Sequence, residues 1–521
     1  MGRSRFKSIP LVDTGTVTTV TGIRIRVVDL LRCSSVSLLR TLPVEDVLAR
    51  TERSGLVRRL TGIDLIGFGI GIIIGTGVFT LAGVEAKDHA GPAVVLSFVI
   101  GGVVAALAAL CYAELASAVP TAGSAYTYAY STLGEIFAWI IGWDLLLEFA
   151  LGAAVVSRSW SGYISSLLGL PPEWFGEDAT VNVGAIVIIA VLTVVAVIGI
   201  RESSWVTNAL VVIKVAVCVL VIVAGLFFFR GANLTPFVPP AQPSGEGGNP
   251  LEQPLVSAAL GMEQSMYGFG GVLTAAAIVF FAYTGFEALA NLGEETRRPR
   301  RDLPVGLLGS LLVCTLLYVL VALVLSAMVP YSQIDEGAPL AAAFHSVGSH
   351  WVAALIALGA VTGLTSVMMV ELVTIGRIGF AMSRDGLLPP KLSQVHPKWG
   401  TPHRMTIGGA VVIMVLGGFV PISELSDMVS IGALSGFLIV AIAVPVLRRR
   451  KPDLERPFKM PLSPVLPVLT AVACLYLMTN LSVLTWIRFA IWLAVGLVLY
   501  LAYGYRKSRI GRGAEVTGAG G

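Results

Sequence analysis

The sequence predicts an all-α integral membrane protein of about twelve transmembrane helices, and three observations carry that prediction. Of 521 residues, 55% are hydrophobic and 13% charged, with a mean hydropathy of +0.83. A soluble chain of this length could not cover so much apolar surface, so lipid has to be its solvent. Apolar runs of about 18 residues or more, long enough to cross the hydrocarbon core, recur along the chain. Finally, 31 of the 36 Lys and Arg fall in segments that share one side of the membrane when the spans alternate.

In chain order, residues 1–41 read as a disordered cytoplasmic tail, or as the product of a start assigned too far upstream. "LPVEDVLARTERSGLVRRL" then predicts an amphipathic helix on the cytoplasmic surface, ending near residue 62 (42–62). The first five spans are 65–85, 93–117, 134–157, 183–200 and 205–229. A Pro- and Gly-rich extracellular connection, "RGANLTPFVPPAQPSGEGGNPLEQPL", follows them. Spans six to ten are 272–292, 304–329, 351–377, 406–420 and 426–447, closing a ten-span core over 63–447. A basic cytoplasmic linker (448–463), two additional spans (464–480 and 487–505, within 464–505) and a cytoplasmic tail (506–521) complete the chain.

The loops expected outside hold only Lys87, Arg158, Arg230 and Arg488, so both termini are expected in the cytoplasm, with the protein in the cell membrane. Residues 1–62 lack the compact apolar core of a signal peptide. Five scattered cysteines, none at metal-ligand spacing, are expected as free thiols. No cofactor, metal or nucleic-acid partner is expected; the sequence leaves open a small membrane subunit.

The chemistry is expected where two spans interrupt their own helices. "GFGIGIIIGTGVF" (67–79) holds five glycines in thirteen positions, although each costs a helix interior about 1 kcal/mol relative to alanine. Gly75-Thr76-Gly77 lies about 18 Å along span one. In span six, "VFFAYTGFEALANLGEE" sets Tyr283-Thr284-Gly285 about 17 Å from the outer end. Interrupted helices at matched depth, five spans apart, point to the substrate site of a transporter built from inverted repeats. Unwound backbone there exposes amides that favour a carboxylate and carbonyls that favour an ammonium. The competing reading is close helix packing by small residues, which suits the spacing of Gly67, Gly71 and Gly75.

Ionisable residues inside spans are functional candidates by default. Lys214 lies about 14 Å into span five and Glu148 about 21 Å into span three, so a Glu148–Lys214 pair fits by depth. Such a lysine can gain and lose a proton as its cavity changes sides, whereas a fixed ion pair would merely lock the two spans. Glu371 is about 9 Å along span eight from Arg377, which favours a cytoplasmic-gate ion pair over substrate contact. Glu114 and Glu287, near cytoplasmic ends, read as paired; no function attaches to His345 or His350.

"GIGIIIGTGVF" together with "FFAYTGFEALANLGEETRRPRRDLPVGLL" resembles the broken-helix signature of amino acid permeases of the APC superfamily. "LPVEDVLA", "GWDLLLEF", "WVTNALVVIK" and "AMSRDGLLPPKLSQVHPKWGTPHR" are similar to the cationic amino acid transporter (CAT) family within it, and the likeness spans roughly residues 42–505. The resemblance implies a LeuT-like fold with 5+5 inverted repeats (63–229 and 272–447) and discontinuous spans one and six. It implies a substrate α-carboxylate at the amides of Gly75, Thr76 and Gly77. The α-ammonium would meet the carbonyls of Ile73, Phe281, Ala282 and Thr284. Lys214 matches the span-five lysine of proton-coupled relatives and Glu148 the family's span-three glutamate. Glu371 departs from the pattern, at a position where the family carries uncharged residues, and leaves the substrate class open between cationic and neutral amino acids. No carboxylate is expected in the lining from spans one and six.

The expected function is therefore secondary active amino acid transport, as proton symport by alternating access, and not an enzymatic reaction. The expected partners are an amino acid, protons and the bilayer. The alternatives are a non-transporting amino acid sensor or receptor, or a sodium-independent exchanger. A membrane enzyme or redox subunit is disfavoured, since the spans lack paired His for haem, clustered Cys, and a Ser/His/Asp set at matched depth.

Overall fold

The computed structural model describes residue 40 and residues 59–119, 124–177, 179–199, 204–243, 249–262, 265–293 and 295–509. Apart from residues 40 and 59–62, the expected tail and amphipathic helix lie outside the described residues, as does the chain beyond 509.

Each of the twelve apolar segments read from the sequence holds a helix. They are α1 (Gly62–Ile73), α2 (Val94–Ala118), α3 (Glu135–Leu168), α4 (Val183–Ile198), α5 (Ser204–Leu226) and α6 (Gly268–Ile278). The second six are α7 (Pro299–Met328), α8 (His350–Arg384), α9 (His403–Phe419), α10 (Ile422–Arg450), α11 (Val465–Thr479) and α12 (Val483–Leu499). Among the described residues, eight helical stretches are long and apolar enough to cross a membrane. α1, α4, α9 and α11 are apolar but shorter.

Local chemistry sets the ends of these helices. Thr61 and Asp64 form a reciprocal capping box on α1, and the Thr61 amide and hydroxyl that donate to Asp64 hold its carboxyl below the usual range. Asn182 accepts from Ala185 N at the start of α4 (3.0 Å) while its own amide donates to Gly176 O. Gly169 and Gly199 close α3 and α4 in the left-handed conformation that favours glycine.

α3 is the most buried of the long helices and packs along α8, with α10 on another flank; α7 lies against both α1 and α2. Small residues permit the close approaches: a side chain at Gly69 would strike Ser310 of α7, and one at Gly71 would strike Val211 of α5. Glu114, fully buried at the end of α2, accepts a bidentate pair from Arg448 (2.8 and 2.6 Å) and the Met460 amide (2.8 Å). It thereby ties α10 and the chain beyond it to α2. The outer connection after α5 forms only short turns and a two-residue strand pair, Gln242–Pro243 with Ser265–Met266. The four described cysteines are buried free thiols.

Candidate substrate site

α1 stops at Ile73 because Ile74 turns extended (φ −71°, ψ 102°), and helical geometry returns only at Thr76. The first turn of the second segment closes by Phe79 N donating to Gly75 O (3.4 Å). The amides of Thr76, Gly77 and Val78 therefore head a new helix and have no acceptor within it. The segment runs on to Ala90 through π turns at Gly77–Leu81 and Ala86–Ala90.

α6 breaks in a different way. After Ile278 the chain tightens into a 3-10 turn (Val279–Tyr283), extends at Thr284 (ψ 159°), and passes Gly285 at φ +101°. That left-handed value explains the glycine, and a side chain there would also strike Ile72 (2.5 Å). Both oxygens of Glu287 accept from Gly285 N (2.9 Å), so a carboxylate holds the turn from inside.

The two breaks meet. Gly77 stands against Ala282, and a Cβ at Gly77 would overlap the Ala282 methyl and lie 2.5 Å from its Cα. A cavity of about 30 Å³ opens beside this crossing. α1 and the segment after it contribute Ile73, Gly75, Thr76 and Gly77 to its wall, and the broken stretch after α6 contributes Phe281, Ala282 and Thr284. All seven backbone positions expected at the substrate thus line one space. Glu148 of α3 joins them, and so does Glu371 of α8. Such a volume holds one or two waters, so the walls must part to admit anything larger.

Most carbonyls freed by the breaks already have donors. Tyr318 of α7 donates to Ile73 O (2.6 Å), Lys214 of α5 to Gly71 O (2.5 Å), and Ser430 of α10 to Ile278 O (2.9 Å). Phe281 O accepts from both the amide and the hydroxyl of Thr284 (3.1 and 2.9 Å). Three buried polar atoms of the cavity wall, by contrast, have no protein partner among the described residues: Thr76 Oγ1, Glu148 Oε1 and Glu371 Oε2.

A sequence model of the amino acid permease family matches residues 60–502. The chain belongs to the amino acid permease family. The permease is 42% identical over 490 residues to the branched-chain amino acid permease BcaP of Bacillus subtilis (strain 168), covering 91% of this chain and 99% of that one. It is 38% identical over 488 residues to the methylthioribose transporter of the same organism, covering 91% and 100%. A third relative is the chloroplastic cationic amino acid transporter 9 of Arabidopsis thaliana, 42% identical over 362 residues, covering 67% and 59%. The resemblance read from the sequence therefore holds. The permease is a multi-pass membrane protein and a transporter, not an enzyme.

Two pairings expected from depth do not form in the permease. Lys214 does not meet Glu148: its ammonium sits on the Gly71 carbonyl, while Glu148 faces the cavity. Equal depth leaves the direction around the helix axis free, and the two side chains take different directions. Glu371 makes no ion pair with Arg377 among the described residues; its carboxyl lines the cavity instead. Six residues turn a helix by about 240°, so Glu371 and Arg377 point to different faces despite their short axial separation. Carboxylates do line the cavity, from α3 and α8 and not from the broken helices.

Sequence reasoning missed Tyr318 and Gly152. A side chain at Gly152 would sit 2.6 Å from Glu371 Oε1, so this glycine of α3 makes room for the carboxylate of α8. Neither residue carries a local signal, since each acts through a neighbour more than 200 residues away in sequence. Asp144, one turn from Glu148, is bound by the Ser435 hydroxyl (2.8 Å).

Proposed function

We propose that this permease is a secondary active amino acid transporter working as a proton symporter by alternating access. The observation that carries the reading is the meeting of two broken helices at one small buried cavity. A membrane-embedded chain has no use for unpaired backbone amides unless a ligand or cavity water satisfies them. The substrate α-carboxylate would take the amides at Gly75, Thr76 and Gly77, where a helix start favours an anion. Its α-ammonium would take the second lone pair at Ile73 and the carbonyls of Ala282 and Thr284, and at Phe281 it would displace the Thr284 hydroxyl, since a carbonyl accepts two hydrogen bonds.

Lys214 and Glu148 are the groups proposed for proton coupling. The Lys214 ammonium holds the last turn of α1 through Gly71 O, so discharging it would weaken the bond that fixes one half of the site. Glu148 borders the substrate directly. The twelve helices would form a LeuT-like arrangement in which 63–229 and 272–447 are inverted repeats, followed by the linker 448–463 and two additional spans in 464–505. The protein would lie in the cell membrane with both termini cytoplasmic, as the charge asymmetry of its loops favours.

The test is uptake of labelled amino acids by the purified protein in proteoliposomes, with and without an inward proton gradient. Gradient-driven accumulation above equilibrium supports symport. Exchange of equal rate with and without the gradient would refute the coupling, and binding without flux would make the protein a sensor.

A further inference from the structure

A second cavity, of about 300 Å³, lies where α8 ends and the chain leaves α12, which is the level of the lipid headgroups for two membrane-crossing helices. Its wall holds three cations, Arg384 at the end of α8 and Lys507 and Arg509 beyond α12, and no carboxylate among the described residues. Ser383, Ser393 and Tyr503 add hydroxyls. Asp385, next to Arg384, is engaged elsewhere. One of its oxygens accepts from the Tyr126 hydroxyl (2.9 Å), and the other is 3.8 Å from Arg384 Nε, beyond hydrogen-bond distance.

The bonds that fix these walls do not use the three charges. Glu135, fully buried at the start of α3, accepts from the hydroxyls of Tyr500 and Ser508 (3.0 and 2.6 Å) and so pins the chain on either side of Lys507. Arg509 N donates to Asp385 O (3.1 Å). Gly386, at φ +83°, comes so close that a side chain there would lie 2.5 Å from the Lys507 carbonyl oxygen. Backbone contact therefore gathers three exposed cations around one space. Like charges held together without a counter-charge repel one another, and an anion between them removes that repulsion.

The apolar surroundings decide which anion. In the two turns before Tyr503 the chain exposes Val495, Val498, Leu499 and Leu501, a surface for acyl chains. A soluble phosphate would use the cations alone, whereas a phospholipid uses the cations and this surface together. We infer that the cavity binds the phosphate group of an anionic phospholipid through Arg384, Lys507 and Arg509, with the acyl chains along the exposed face of α12. Basic pockets between helices at a membrane surface suit such headgroups. Bound there, the lipid joins α8, which carries part of the substrate-cavity wall, to the end of α12.

The test is a thermal-shift titration of the purified full-length protein in neutral detergent. The three probes are short-chain phosphatidylglycerol, short-chain phosphatidylcholine and inorganic phosphate. Phosphatidylglycerol should raise the melting temperature saturably, and the other two should not. Arg384→Gln, Lys507→Gln and Arg509→Gln combined should raise the half-effect concentration about 100-fold, at about 5-fold per charge. Arg297→Gln, Arg298→Gln and Arg301→Gln combined, at the start of α7 on the same face when successive helices alternate, should leave it unchanged. A response to phosphatidylcholine equal to that of phosphatidylglycerol would overturn the inference, as would a wild-type response in the cavity variant. An equal loss in the α7 variant would also overturn it, by showing attraction to surface charge in general. Inorganic phosphate as effective as the lipid would overturn the lipid assignment and leave a site for a soluble anion. If the triple cavity variant does not fold, Lys507→Gln alone carries the test with its expected shift of about 5-fold.

Discussion

Gly77 is the position where the site is least able to absorb a change. It faces Ala282 at the crossing of the two breaks, and an added Cβ would overlap the Ala282 methyl and lie 2.5 Å from the Ala282 backbone. Real Cβ atoms essentially never come within about 3.0 Å of such a neighbour, so Gly77→Ala must push the two unwound segments apart. Overpacking of this kind costs about 1–3 kcal/mol. Expressed as weakened substrate binding, that is about 5- to 150-fold. The assay is counterflow affinity in proteoliposomes, with the melting temperature of the purified protein as the control for folding. Ala282→Gly on the Gly77→Ala background removes the methyl but leaves the backbone carbon behind it in place, so it should restore part of the loss and not all of it. A double-mutant cycle should therefore give a coupling well above the few tenths of a kcal/mol expected for independent sites. Wild-type affinity in Gly77→Ala, or losses at the two positions that simply add, would mean that the crossing does not shape the site.

Three further outcomes follow from named interactions. Lys214→Ala should abolish proton-driven accumulation while the protein still elutes as a folded species, and accumulation undiminished by that change would remove Lys214 from the coupling. Glu114→Ala strips Arg448 and the Met460 amide of a shared buried acceptor; with Arg448 partly solvated, the loss should be on the order of 3 kcal/mol, seen as a lower melting temperature. Arg448→Met together with Glu114→Met should recover much of it. Asn182→Ala removes a cap and a loop bond, so a loss of about 1–2 kcal/mol is expected, with transport rate per folded molecule unchanged.

Much of this molecule was legible in one dimension because its main constraint is one-dimensional. Apolar length gives each span, and the Gly75-Thr76-Gly77 and Thr284-Gly285 strings mark where a helix is cheapest to interrupt. Depth then matches the two strings, and all seven backbone positions that the family resemblance implies at and beside them line one cavity. What depth does not carry is rotation about the helix axis. Lys214 and Glu148 overlap in depth but turn to different neighbours, Gly71 O and the cavity. Glu371 sits close to Arg377 along α8 but on another face, which turns it from an expected gate residue into part of the cavity wall. Gly152 carried no signal at all, since its role is the space it leaves for a side chain 219 positions further on.

The hydrogen-bond accounts of the two breaks are unequal, and that inequality bears on how a substrate would be held. Unwinding a helix frees carbonyls on one side of the break and amides on the other. Here the carbonyl side is largely served from within: Tyr318 on Ile73, Lys214 on Gly71, Ser430 on Ile278 and the Thr284 hydroxyl on Phe281. The amides at Thr76 and Gly77 head a segment that begins in the middle of an apolar bundle, and no intrahelical acceptor exists for them. The Thr76 hydroxyl is itself without a partner among the described residues and can add a donor toward an anion. A carboxylate fills this set completely, with two oxygens for amides and hydroxyl, whereas an ammonium competes for second lone pairs on carbonyls already in use. In the proposed cycle the carboxylate would therefore be the stronger anchor of the substrate. The ammonium would bind more loosely, across the half of the site whose bond to Lys214 changes with a proton.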